Sequence, residues 1–315
     1  MSGLLDVILG YDCNLACDYC TITPVMRRRA LTSAMVLAAM RQARRDEFDT
    51  IAFTGGEPTI RGDLLGLVNA ARSLGFVDRK VQTNGLMLGQ GDNAARLVAS
   101  GVSRVHLSVH THEEEAYDAL VRSVGAFGRM VAGLDAVITT GLPLVVDLIL
   151  KSDTFLKLPA ALAWLFARGV RAVDLWYVSL TDGNADNVAS LPRMRDVVPV
   201  MAEAFAFARA QGMVLRSLHV PRCLLGADHG HAFDPGAARV RVLTPDACFD
   251  LRDSRLAGQV QVPACVGCEF AAYCPGLRPD YLAVFGDEEV AAARGQVATI
   301  PARRLLPVLP RDSER

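Results

Sequence analysis

Tyr11-Asp12-Cys13-Asn14-Leu15-Ala16-Cys17-Asp18-Tyr19-Cys20 follows directly on the apolar run of residues 4–9. A short apolar run that opens into a thiol-bearing loop reads as a strand and the loop at its carboxyl end, where parallel α/β folds place their active sites. Three thiols at C-x3-C-x2-C spacing suit a metal centre. Three thiolates can hold a four-iron cluster and leave one iron without a protein ligand. A zinc site or three unconnected buried thiols are the other readings of the same residues.

Working outward, short apolar runs alternate with longer helical patterns as far as residue 217, the signature of repeated βα units on a parallel sheet. Strands are expected at 4–9, 50–53, 80–82, 104–109, 144–150 and 173–178. Helices are expected at 32–45, 62–74, 93–100, 113–139 (broken near Gly125), 158–168 and 193–211. The fold class is α/β: a partial (β/α)6 TIM-like barrel over residues 1–217, whose apolar strands would give a dry, closed lumen. Beyond it the chain turns rich in Pro, Gly, Cys and His, which marks a small cysteine-rich domain over 218–300 and a tail over 301–315.

The chain has 315 residues, 51% of them hydrophobic, with 33 basic and 34 acidic side chains. It can bury a large core, and its near-neutral charge argues against nucleic acid or an anionic membrane as partner. No signal peptide stands out, and runs such as 142–150 are too short to span a bilayer, so a cytoplasmic location is expected. In a reducing compartment its eight cysteines read as metal ligands or catalysts rather than disulfides.

Thr54-Gly55-Gly56-Glu57-Pro58 follows the second expected strand. Glycines let the backbone approach a ligand closely, and Glu57 with nearby carbonyls can accept hydrogen bonds from an ammonium group. The cysteine loop, including the aromatic Tyr19 before its third thiol, and this GGEP turn resemble the radical S-adenosylmethionine (radical SAM) superfamily. The resemblance implies one-electron reduction of the bound sulfonium and hydrogen-atom abstraction from a substrate. It also implies a SAM-binding [4Fe-4S] cluster on Cys13, Cys17 and Cys20, fed by a flavodoxin- or ferredoxin-type reductant. Tyr19, Gly55, Gly56, Glu57, Pro58, Asn84, Ser108 and Arg122 would then contact the cofactor. Ser108 shares a strand face with His106 and His110, and Arg122 resembles the family arginine that pairs with the methionine carboxylate.

A second group comprises Cys223, Cys248, Cys265, Cys268 and Cys274. Its Cys265-x2-Cys268-x5-Cys274-Pro275-Gly276 portion resembles the auxiliary-cluster extensions called SPASM and twitch domains. Position 278 is Arg, where a cysteine often follows, so one auxiliary [4Fe-4S] cluster is expected, on Cys223, Cys265, Cys268 and Cys274. Cys248 would replace Cys223 or stay free near the substrate as a hydrogen donor or acid. Zinc is the alternative metal for this group. His229 and His231 are expected to be solvated, and Arg27-Arg28-Arg29 to be an exposed charge run at a helix entry.

Asp147 interrupts an apolar strand, which is costly unless it has a partner or a task, and is the first candidate for a substrate contact. Of Trp176 and Tyr177 at most one lines the lumen, and core packing is expected for both. The functional expectation is an oxidoreductase- or transferase-type enzyme of peptide maturation or natural-product biosynthesis. Acting on a small metabolite (a sugar, nucleoside or lipid precursor) is the alternative, and a non-catalytic iron–sulfur carrier the remote one. Against the peptide reading, no leader-recognition module precedes the first expected strand.

Overall fold

A computed structural model describes residues 3–233, 239–251 and 259–297, with side chains to residue 293; the expected tail over 301–315 lies outside these residues. The chain runs β1 (Gly3–Ile8), α1 (Ser33–Arg45), β2 (Thr50–Thr54), α2 (Leu64–Ser73), β3 (Asp78–Thr83), α3 (Asn93–Ser100) and β4 (Arg104–Ser108). It continues with α4 (Glu114–Val121), α5 (Ala126–Thr140), β5 (Leu144–Leu150), α6 (Leu158–Ala167), β6 (Ala172–Tyr177), α7 (Met194–Gln211) and β7 (Val214–Leu218). After these come β8 (Arg239–Leu243), β9 (Cys248–Asp250), α8 (Pro279–Phe285) and α9 (Glu288–Val297).

Among the described residues the strands form a single nine-stranded sheet in the order β7-β6-β5-β4-β3-β2-β1-β8-β9. Every neighbouring pair is parallel except β8–β9. This is the α/β partial barrel expected, with two corrections. A seventh βα-linked strand, β7, pairs with β6 and brings Arg216 opposite Asp174. The cysteine-rich portion is also not a separate body by its strands, because β8 adds to the barrel sheet beside β1.

Alternation divides each strand between two environments. Leu5, Val7, Ile51, Phe53, Val81, Val105, Leu107, Val146, Leu148, Val173 and Leu175 are fully or almost fully buried and build the core. The other face carries Asp6, Lys80, Gln82, His106, Ser108, Asp147, Asp174 and Arg216, on neighbouring strands. The lumen is therefore charged, not the dry apolar one expected. An apolar run in sequence reports only that one face of a strand is packed, and the helices pack the outer one.

Candidate functional site

The cysteine loop is held by four sets of contacts. Gly56 N donates to Gly10 O at 2.9 Å and Glu57 N to Asp12 O at 2.8 Å. Ala16 N and Asp18 N donate to the Val121 and Leu120 carbonyls at the end of α4. Arg27 donates to the Cys13 and Leu15 carbonyls at 3.0 and 2.7 Å, so it clamps this loop instead of forming an idle charge run. Lys151, buried at the end of β5, pairs with Asp18 at 2.8 Å and Asp153 at 2.9 Å.

The two glycines of the GGEP turn have a reason of their own besides approach to a ligand. A Cβ at Gly56 would lie 2.0 Å from Asp12 O, and one at Gly55 2.3 Å from Gly10 O. Glycine is required here so that the turn can press against the cysteine loop. Glu57 is buried, and its carboxylate is saturated from within the protein. It accepts from Thr59 N (3.0 Å), Thr59 Oγ1 (2.5 Å), Thr83 Oγ1 (2.6 Å) and Asn84 N (2.7 Å). Burial nevertheless pushes its carboxyl pKa up, against these donors.

A cavity of about 1580 Å³ opens over the carboxyl ends of the strands. Cys13, Cys17, Tyr19, Cys20, Gly55, Gly56, Asn84, Ser108 and Asp147 all line it, and so does the segment from Ala271 to Gly276 that contains Cys274. Three expected cofactor contacts are not brought there. Glu57 and Pro58 lie behind the turn, away from the lining. Arg122 is exposed at the end of α4, in a left-handed conformation with φ 54°.

Tyr19 Oη meets His110 Nε2 at 2.8 Å, and burial holds the His110 pKa down at about 4. Asp147 Oδ1 faces His106 Nδ1 at 3.1 Å, and burial lowers the His106 pKa against the pull of that carboxylate. Trp176 lines the cavity, contrary to the expectation of core packing, edge-on to His219 with ring centroids 5.5 Å apart. Tyr177 is buried and its hydroxyl donates to Pro192 O, yet it too borders the cavity, where at most one of the two was expected.

All eight cysteines are free thiols. Cys223, Cys265, Cys268 and Cys274 line one small pocket with Phe270 and Leu277. Burial and the neighbouring thiols push Cys223 up to about 12, and burial pushes Cys13 and Cys17 up to about 11 and 12. Thiols so raised are poor nucleophiles and ionise when a metal binds them, so the donor chemistry of both groups fits a metal cluster. Cys248 is exposed on β9 and lies in neither lining, away from the catalytic position considered for it.

The histidines between these cysteines serve the fold. His231 is buried, stacks on Phe205 with centroids 4.1 Å apart and bonds Leu215 O at 2.7 Å, where a solvated ring was expected. His229 is half-buried, bonds Gly226 O and packs on Phe270. Arg278 is buried, donates to Tyr177 O at 3.0 Å and pairs with Asp280, which ties the C-terminal segment to the end of β6. Arg27, Lys151, His219 and Arg278 were not singled out for these roles by the sequence; for Lys151, His219 and Arg278 the deciding partners, Asp18, Trp176 and the Tyr177 carbonyl, lie far along the chain.

Residues 7–153 match the model of the Radical SAM superfamily, and this part of the chain is a radical SAM domain. Members of that superfamily bind a [4Fe-4S] cluster and S-adenosylmethionine. Among curated relatives, a probable GTP 3′,8-cyclase of Saccharolobus islandicus is 31% identical over 139 residues, 44% of each chain. One of Methanopyrus kandleri is 32% identical over 149 residues, 47% of each. The chain thus spans less than half the length of these relatives.

Among solved structures, Streptococcus suis SuiB bound to its precursor peptide SuiA superposes with a TM-score of 0.67 at 12% identity, over 90% of this chain and 73% of SuiB. The structure of anSMEcpe with bound AdoMet and a Kp18Cys peptide gives 0.56 at 15%, over 68% and 63%. At such identities these likenesses concern the fold. Among the described residues no helix is long and apolar enough to cross a membrane.

Proposed function

We propose that this radical SAM enzyme modifies a peptide, with Cys13, Cys17 and Cys20 holding the SAM-binding cluster and Cys223, Cys265, Cys268 and Cys274 an auxiliary one. The observation that carries the reading is the single cavity lined both by the first three thiols and by Cys274. A substrate seated there lies between the two cysteine groups, and about 1580 Å³ admits a peptide segment. At the first site the cluster and S-adenosylmethionine supply hydrogen-atom abstraction, driven by an electron from a flavodoxin- or ferredoxin-type protein. At the second, four thiols leave no iron open, so that group supplies electron transfer alone.

The chain's own residues do the rest. Arg27, Lys151 and the Gly55-Gly56 turn fix the loop that carries the first thiols. Asn84 donates to Asn14 Oδ1 at 2.7 Å and, with Ser108 and Tyr19, offers polar contacts along the wall beside them. Arg278 with Asp280 holds the segment containing Cys274 against the barrel.

The peptide structures of SuiB and anSMEcpe lend the reading support through their shared fold. The cyclase relatives suggest a nucleoside triphosphate instead, but the described lining suits one poorly. It carries Asp147, Asp182 and Asp280 against Arg222 and Arg278, and both guanidinium groups are already engaged. A tetra-anion needs several uncommitted cations.

The test is anaerobic incubation of the reconstituted enzyme with S-adenosylmethionine and reductant, with a synthetic peptide library in one arm and GTP in the other. Peptide-dependent 5′-deoxyadenosine with a peptide mass change is expected. Stimulation by GTP and by no peptide would overturn the reading.

A further inference from the structure

We infer that Asp147 anchors a cationic side chain of the substrate, a primary amine or a guanidinium, at the floor of the cavity. The inference rests on the peptide reading above. Asp174 and Asp78, elsewhere on the inner face, have partners for their charge. Arg216 donates to both oxygens of Asp174 at 2.7 Å, and Arg104 pairs with Asp78.

Asp147 differs. It is 4% exposed, Oδ1 is bonded to His106, and Oδ2 has no hydrogen-bond partner. Two other buried carboxylate oxygens among the described residues share that state, Asp6 Oδ1 and Asp18 Oδ1, and neither residue lines the cavity. An unsatisfied buried acceptor is costly and calls for a donor that the protein does not itself supply.

Charge selects the kind of donor. His106 is held neutral by burial at ordinary pH, so it shares a proton with Asp147 without cancelling its charge. His110 and His219, both on the cavity wall, are likewise neutral above a pKa of about 4. Arg278 is taken by Asp280 and the Tyr177 carbonyl, and Arg222 by the His229 carbonyl and the Tyr273 ring.

A metal ion fits less well. Donor atoms of His106, Asp147 and Asp174 lie within 4.8 Å of one another, but the Arg216 guanidinium already spans Asp174. An organic cation needs only the one free oxygen, and a charge-assisted hydrogen bond to it is the strong kind. Trp176, two residues beyond Asp174 on the same strand face, supplies an apolar wall for the aliphatic stem of such a side chain.

The experiment is isothermal titration of anaerobically reconstituted protein, with S-adenosylmethionine present, using Ac-Gly-Lys-Gly-NH2 and Ac-Gly-Arg-Gly-NH2. The Nε-acetyl-lysine and norleucine tripeptides serve as neutral controls. On the unaltered protein a cationic peptide is expected to bind about tenfold or more tightly than the controls, the factor set by one charge-assisted hydrogen bond. D147N, checked for an unchanged unfolding midpoint, should erase that preference. Equal binding of charged and neutral peptides, or a preference that survives D147N, overturns the anchor and leaves the peptide reading standing. Binding of none of the four overturns both.

Discussion

Replacing Gly56 by alanine tests what the double glycine is for. The added methyl would sit 2.0 Å from Asp12 O and 2.7 Å from Tyr11 O, both backbone atoms of the cysteine loop. Real contacts of this kind stay beyond about 3 Å, so the loop must retreat by roughly 1 Å. That movement stretches the Gly56–Gly10 and Glu57–Asp12 hydrogen bonds, worth about 1 kcal/mol each, and adds the ~1–3 kcal/mol of an overpacked contact. G56A should therefore lose about 3–5 kcal/mol in anaerobic urea unfolding and fail to fill the first cluster site. Gly66 is the control: it lies exposed in α2 with nothing within 4 Å of an added Cβ. G66A should gain about 0.5–1 kcal/mol from helix propensity alone. A G56A protein within about 1 kcal/mol of its parent and with full iron content would refute the close-approach argument.

Other perturbations separate the remaining parts of the site. C223A should lower the iron content of the reconstituted protein from about eight to about four atoms per chain, whereas C248A should leave it unchanged; equal effects of the two would discount the four-thiol pocket. Burial holds His110 and His219 down at about 4 in the folded protein, against 6.5 for the free side chain. The unfolded chain then binds the extra protons. Their contribution to stability is complete above pH 6.5 and is lost as the pH falls toward 4, by up to about 1.4 kcal/mol per pH unit for each ring. Urea midpoints measured across this range should fall less steeply in H110Q, and an unchanged slope would show that burial does not set the histidine pKa. K151M removes the buried partner of Asp18 and should cost about 2–3 kcal/mol, less than a fully buried pair because Asp18 is part-exposed. Iron release by a chelator should quicken in the same variant if the pair steadies the cysteine loop.

What could be read in advance followed the range over which each signal acts. Six strands and all the barrel helices announce themselves by apolar alternation, which is local, and the cysteine loop and the GGEP turn are contiguous in sequence. β7 was missed because Val214-Leu-Arg-Ser-Leu218 places Arg216 on the inner face. That arginine looks like the end of the pattern until Asp174, one βα unit earlier, is seen opposite it. The same holds for β8, whose Arg241 finds Asp46 and Asp250.

Glu57 was read as a ligand contact for a related reason. Two of its donors come from Thr83 and Asn84 on the next βα turn, and nothing near position 57 hints at them. Single residues carried over by resemblance fared according to their surroundings: Ser108 reaches the cavity from a strand, while Arg122 ends a helix outside it.

Position 278 shows how one substitution alters what must hold a segment in place. A cysteine often follows there in the extensions this region resembles, and a cluster bound to it would tether the chain through metal. Here the position is a buried arginine bonded to the Tyr177 carbonyl and to Asp280, which in turn accepts from Leu180 N at 2.8 Å. The end of β6 and the segment after Cys274 are thus joined by charge-assisted hydrogen bonds, a tether that needs no iron to form. Loss of the auxiliary metal should accordingly loosen the pocket of Cys223, Cys265, Cys268 and Cys274 while leaving this wall of the cavity in place.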